Sequence, residues 1–216
     1  MGSRKVITEA DVLAAERRGE KRLAVSDSAL ITPLARDAAA HRGIVFERQS
    51  EVPTPGRLVE TPKAVAIGSD HGGFDYKKAL SKHVSELGWE VIDVGTHSNA
   101  RCDYPDFAFA VARTVTQGKA SFGIMIDGAG PGSAIVANKV PSIRAACAYA
   151  EFAAWNARAH NDCNVLTLGS RATGIEVCKR IISTFLETQF EGGRHQGRID
   201  KIRDVESHFS AEREFE

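Results

Sequence analysis

The sequence predicts an α/β protein: a doubly wound sheet of five parallel strands in three α/β/α layers, preceded by a small α/β extension. Three observations predict it. Between Lys63 and Phe190, short apolar runs alternate with segments of helical spacing. The short runs are predominantly apolar, as strands covered on both faces are. Polar, chemistry-bearing residues gather just after the runs, where an open parallel sheet places its ligand crevice.

The 216 residues suffice for one such domain plus an extension. Charges balance at 28 basic against 28 acidic, so nothing points to nucleic acid or an anionic membrane surface. No apolar run approaches the roughly 20 residues of a membrane span, and the charged start is not a secretory signal. The four cysteines are scattered without a C-x-x-C pair, which fits reduced thiols of a cytoplasmic protein and neither a disulfide frame nor a zinc site.

Residues 1–47 form the extension. Thr8 with Asp11 three positions on starts a helix through Arg18. Leu23 to Val25 is a short strand. Thr32-Pro33 opens a second helix, which Gly43 ends before a strand at Ile44 to Glu47. Residues 48–62, with Pro53, Pro55, Gly56 and Pro62, read as a linker. The repeat, in residues 63–216, follows as strand Ala64 to Gly68, helix Phe74 to Leu87 and strand Trp89 to Val94. Helix Asp106 to Thr116 and strand Phe122 to Ile126 come next, then a glycine loop with a short helix. Strand Ile143 to Tyr149, helix Glu151 to His160, strand Val165 to Leu168 and helix Ile175 to Phe190 complete it. The polar tail from Gly192, with apolar Ile199, Ile202, Val205 and Phe209, is expected to pack across a partner subunit.

The glycine loop is the most informative stretch. Phe122 to Lys139 runs from an apolar strand through Gly128, Gly130 and Gly132 into a helix start, whose free N–H groups suit an anion. Asp127 ends the strand at the crevice. Polar groups follow the other strands at Ser69-Asp70-His71, Asp103-Tyr104 and Ser170-Arg171; His160-Asn161 end the helix before the fifth strand, and Arg194, His195 and Arg198 lie in the tail. One Asp-His pair is usually a capped turn and a lone arginine a solvated group; several at one sheet edge make a site. Arginines with histidines and no acidic run suggest a phosphate-sized anion. G-x-x-x-x-G-K-[ST] is absent, which excludes a nucleoside-triphosphate loop. A dinucleotide site stays open through Gly128, Gly130, Ser133 and Glu151, although Pro131 removes a backbone donor.

The stretches GSDHGGF, VIDVGT, DYPDFA, DGAGPG with AIVANK, IRAA, HNDCNVLTLGSR and EGGRHQGRIDKI occur in order from residue 63 to about 204. With them the chain resembles the ribose-5-phosphate isomerase type B family, which includes the galactose-6-phosphate isomerase subunits. The resemblance implies a homodimer, often paired into tetramers, with active sites shared between subunits. It implies aldose–ketose isomerisation of a phosphorylated sugar through a cis-enediolate, without metal or organic cofactor. By position, Asp70 would hold sugar hydroxyls and help ring opening, and His160 would be the ring-opening acid/base. Asn161 would bind the enediolate region, and Tyr104 would line the sugar pocket. His71, Arg171, Arg194 and Arg198 would grip the phosphate, and backbone amides from Gly128 to Gly132 would face the oxyanion.

Two positions depart from the family pattern. Asp127 stands where many members have a cysteine base and Ala129 where they have threonine, and Ser133 occupies the position of another branch's glutamate. An ordinary carboxylate is a weaker base than a thiolate by nearly five pKa units. Near pH 7 only a few per cent of a thiol is ionised, which returns roughly 1.5 of those units to the carboxylate. Asp127 is therefore expected to be the base, with a changed substrate or a non-catalytic sugar-phosphate binder as the alternatives. VITEADV and ALITPLARDAA in the extension resemble the leading segment of some bacterial microcompartment-associated proteins, which implies association with such a compartment.

Overall fold

The computed structural model describes residues 6–26, 29–49 and 62–212. They belong to two compact units, which divide between Val59 and Glu60.

In the first unit, β1 (Val6–Ile7), α1 (Glu9–Arg17), β2 (Arg22–Ser26), β3 (Leu30–Ile31), α2 (Pro33–Arg42) and β4 (Val45–Gln49) follow one another. β1 pairs with β3 and β2 with β4, both in parallel. The helix signals act as the residues dictate. Thr8 donates its N–H and hydroxyl to Asp11 Oδ2, both at 2.8 Å. Thr32 Oγ1 accepts from Ala35 N at 3.2 Å, and Gly43 ends α2 at φ 64°. Val12, Ala15, Ala35, Ala39 and Ile44 build a small core. β1 and β3 are absent from the sequence reading because two residues carry no period. β4 also runs to Gln49, into the stretch read as linker. The rest of that linker, residues 50–61, lies outside the described residues, as do the last four residues of the tail.

The second unit carries β5 (Ala64–Ser69), α3 (Phe74–Glu86), β6 (Glu90–Asp93), α4 (Tyr104–Thr116), β7 (Phe122–Asp127) and α5 (Pro131–Ala137). It continues with β8 (Ala145–Cys147), α6 (Glu151–Ala159), β9 (Val165–Gly169), α7 (Ile175–Glu187), a 3₁₀ turn (Gly193–His195) and α8 (Gln196–Glu212). The strands form one parallel sheet in the order β6-β5-β7-β9-β8. Alternate residues supply its two faces. Val65, Ile67, Ile124, Ile126, Leu166 and Leu168 pack with α3, α6 and α7, around buried Leu80, Ile181, Ile182 and Phe185. Ala64, Ala66 and Met125 meet α4 and α5 through Ala108, Val111, Ala112 and Ala137. The small residues on this second face let α4 lie close. A Cβ on Gly123 would come within 2.5 Å of Val111 Cγ1. This is the doubly wound three-layer fold that the repeat predicts.

The differences lie at element ends. β8 is three residues long, where seven were expected, and α7 stops at Glu187. The tail is more regular than its weak spacing indicates: α8 buries Ile199 and leaves Ile202, Val205 and Phe209 exposed. Among the described residues no helix is long and apolar enough to cross a membrane.

Candidate active site

From β5 the chain passes outward to β6 and then returns to β7 on the other side of β5, so the crevice opens between the carboxyl ends of β5 and β7. Asp70 follows β5 and Asp127 ends β7. Both are buried. Asp70 N donates to Ile126 O at 3.2 Å, tying the first loop to the neighbouring strand. Asp70 Oδ1 accepts from Gly72 N (2.8 Å) and Gly73 N (3.0 Å), which closes the turn and leaves Oδ2 without a donor among the described residues.

Asp127 is held more fully. Its Oδ1 accepts from Ala129 N at 2.6 Å and from Gly130 N, and its Oδ2 accepts from the Ser133 hydroxyl. The carboxylate thus pins the glycine loop and the start of α5, and one lone pair of Oδ2 remains. This narrows the reading of the loop as a row of amides for an oxyanion, because the Ala129 and Gly130 amides are already committed to Asp127. Gly130, at φ 103°, has a conformation suited to glycine. Tyr149 Oη donates to Ala129 O at 3.0 Å. The neighbouring Cys147 thiol, then desolvation and the Asp127 charge, hold that phenol above its usual range.

Close approach packs the rest of this edge. A Cβ at Gly73 would lie 2.3 Å from Ile126 O, one at Gly132 2.8 Å from Tyr104 Cζ, and one at Gly169 2.4 Å from Ala129 O. Tyr104 therefore lies flush on the glycine loop. Arg171 runs beside Gly128, and its N–H donates to Gly128 O at 3.1 Å. His71 Nδ1 sits 3.0 Å from Cys102 O and 3.3 Å from Cys102 N. Ser170 Oγ donates to Gly72 O at 2.8 Å, linking the loops after β5 and β9. Asp70, His71, Tyr104, Asp127, Gly128, Gly130, Gly132 and Arg171 thus share the carboxyl edge.

His160, Asn161, Arg194 and Arg198 do not. α6 leaves the carboxyl end of β8 and returns to the start of β9, so His160 and Asn161 lie at the amino edge. There Asn164 N donates to Arg144 O, and Arg144 precedes β8. The tail joins them: Glu191 N donates to Ala159 O at 3.0 Å, and the His195 ring stacks on His160 with centroids 4.0 Å apart. The expectation of a single edge is corrected here, because a crossover helix delivers its last residue to the far side of the sheet. The arginines expected to grip a phosphate are divided in the same way, with Arg171 at one edge and Arg194 and Arg198 at the other.

The amino-edge group is closely built. Trp155 meets His160 edge-on at 5.0 Å, Asn156 Nδ2 lies 2.8 Å from His160 Nδ1, and Glu191 Oε2 lies 3.5 Å from His160 Nε2. His195 is buried, and that burial, with His160, Arg194 and Arg198 nearby, holds its imidazole below the ordinary value. The sequence reading missed the roles of Ser133, Tyr149, Trp155, Asn156 and Glu191. Asn156 was findable, since it lies four positions before His160 on one helix face. The others meet their partners through the fold.

Residues 65–202 match the family model described as Ribose/Galactose Isomerase. The chain belongs to that family. The ribose-5-phosphate isomerase B of Escherichia coli is 46% identical over 144 residues, covering 67% of this chain and 97% of the relative. The solved Clostridium thermocellum ribose-5-phosphate isomerase B superposes with a TM-score of 0.67 at 44% identity, over 68% of this chain and 99% of that one. The Mycoplasma genitalium enzyme, solved with bound ribulose-5-phosphate, gives 0.64 at 42% identity, over 67% and 96%. All three likenesses to this isomerase family cover nearly the whole relative.

Proposed function

We propose that this member of a sugar-phosphate isomerase family interconverts ribose 5-phosphate and ribulose 5-phosphate through a cis-enediolate, in sites completed by two subunits. The substrate follows from relatives 42–46% identical that carry this name, one of them with ribulose-5-phosphate bound. The observation that carries the reading is Asp127: a carboxylate at the switch-point crevice, fixed by three donors, with a lone pair of Oδ2 to spare. It takes the C2 proton and returns it to C1. Asp70, through its free Oδ2, holds the sugar hydroxyls, and Tyr104 forms a wall of the pocket. Within one subunit the family motifs put eight of these groups at the carboxyl edge and four at the amino edge, so on this reading His160, Asn161, Arg194 and Arg198 come from the second subunit. Arg194 and Arg198 then meet His71 and Arg171 around the phosphate.

A second reading, a sugar-phosphate binder without turnover, is favoured by the same three donors, which occupy most of the base. Incubation of ribose 5-phosphate in deuterium oxide separates the two. The isomerase incorporates deuterium at C2 and forms ketose, and Asp127→Asn lowers both by at least about 10²-fold while substrate still binds. Wild-type protein that binds the sugar phosphate without exchange is a binder, and Asp127→Asn with full exchange places the base elsewhere.

A further inference from the structure

His160 is partly buried, with described residues against its ring and at both of its nitrogens. Its ring lies between the His195 face, 8° from parallel, and the Trp155 edge. Its Nδ1 faces the Asn156 amide and its Nε2 faces Glu191. Which nitrogen carries the proton follows from a chain of hydrogen bonds that ends on a group with a fixed role. The Asn156 backbone oxygen can only accept, and Asn161 Nδ2 lies 3.3 Å from it, so Asn161 turns its NH₂ that way. The same Nδ2 lies 3.3 Å from the Asn156 side-chain oxygen, which must then be Oδ1 accepting. Asn156 therefore directs its own NH₂ at His160 Nδ1, and a nitrogen that accepts a hydrogen bond carries no proton. In the neutral ring the proton sits on Nε2.

We infer that Asn156 is a positioning residue that holds His160 as the neutral Nε2–H imidazole, which donates a hydrogen bond to a sugar oxygen. This rests on the isomerase reading for the sugar oxygen but not for the tautomer. A neutral imidazole in this role stabilises negative charge developing on oxygen. Around the pair of His160 and His195 stand Arg194 and Arg198, which lie near the His195 ring. Glu191, half-exposed, is the acidic group facing the pair, at 3.5 Å from His160 Nε2 and 3.8 Å from His195 Nε2. The imidazoles and Glu191 also lie within reach of one cation, their ligand atoms within 4.8 Å of one another. Their nitrogens are unsuited to it: His160 Nε2 bears the proton, and His195 Nε2 accepts from Arg194 Nε at 3.3 Å.

The test has two arms. In full-length protein labelled with ¹⁵N-histidine, long-range ¹H–¹⁵N correlation assigned with His160→Gln reports the tautomer whether or not the protein turns over. The expected result at pH 7 is a protonated Nε2 and a bare Nδ1. An Nδ1–H ring or an imidazolium overturns the inference. The second arm follows kcat/KM against pH. A neutral donor loses activity as pH falls through the histidine range, whereas an imidazolium acid loses it as pH rises. Asn156→Asp replaces the donor by an acceptor, draws the proton to Nδ1 and reverses the sign, so that activity falls by about 10-fold or more from pH 6 to pH 8. A residue that merely packs would lower activity at every pH without reversing the profile, and that outcome also overturns the inference. If no sugar phosphate is turned over, the isomerase reading fails while the first arm still decides the tautomer.

Discussion

Gly73→Ala is a one-methyl change with a calculable effect. The added Cβ would lie 2.3 Å from Ile126 O, 2.7 Å from Ile126 C and 2.8 Å from Ile126 Cγ2. The first two are backbone atoms of a central strand and cannot rotate away. Ordinary contact at about 3.4 Å requires the loop after β5 to move from β7 by about 1 Å. Overpacking of this kind costs about 1–3 kcal/mol. Asp70 moves with the loop, because Gly73 N and Gly72 N hold its Oδ1, and the move draws its own N–H away from Ile126 O. A displacement of about 1 Å in a positioning group costs about 10²-fold in rate. Urea unfolding and a coupled ketose assay measure both effects. Gly174→Ala is the control: a Cβ there meets nothing within 4 Å, and stability should stay within about 0.5 kcal/mol. Full kcat/KM in Gly73→Ala would refute the claim that contact between the two loops sets the site.

Asp127→Ala leaves three donors without an acceptor, and at about 1–3 kcal/mol each for the enclosed ones it should cost several kcal/mol by urea unfolding. Asp127→Asn can keep the loop, with Oδ1 on the two amides and Nδ2 donating to Ser133, and should lose far less stability. Arg194→Ala or Arg198→Ala should weaken binding of a sugar phosphate by about 1.5–3 kcal/mol in calorimetry, with little change for the unphosphorylated sugar. Acid should unfold the protein in two stages. His195 sits below its ordinary value through burial, then the nearby cations, so the unfolded chain takes up a proton below about pH 6.5 that the folded chain refuses. Burial works against the Asp93 carboxylate, but the Lys77 ammonium 2.5 Å away and the Gly95 amide outweigh it. That contribution is complete above the ordinary carboxyl value of about 3.9 and is lost as pH falls below it. The Tm should be level between about pH 7 and 8 and fall in these two windows below it.

Legibility in the sequence followed range. Val65 and Ile67 against Ala64 and Ala66 disclose a strand buried on both faces, and Gly43 and Thr32 mark helix ends by local chemistry. Asp70 and Asp127 were findable because strand order and the crevice follow from an alternating pattern. The amino-edge placement of His160 was not, since motif spacing records order along the chain and not the side of the sheet to which a helix returns. The commitment of Asp127 to Ser133 escaped for a related reason: six positions apart, they meet only once Gly130 turns at φ 103°. Isolated pairs such as Val6 and Ile7 escaped because two residues cannot display a period.

The division of the site between two edges is tested most directly by mixing two variants. Asp127→Asn removes the proposed base at the carboxyl edge, and His160→Ala removes the proposed donor at the amino edge. Each alone should be inactive. Unfolded together in equal amounts and refolded, they should form heterodimers in which one site receives both intact halves, restoring about a quarter of wild-type activity on statistical pairing. Heterodimers seen by native mass spectrometry without any recovered isomerisation would contradict a site built from two subunits.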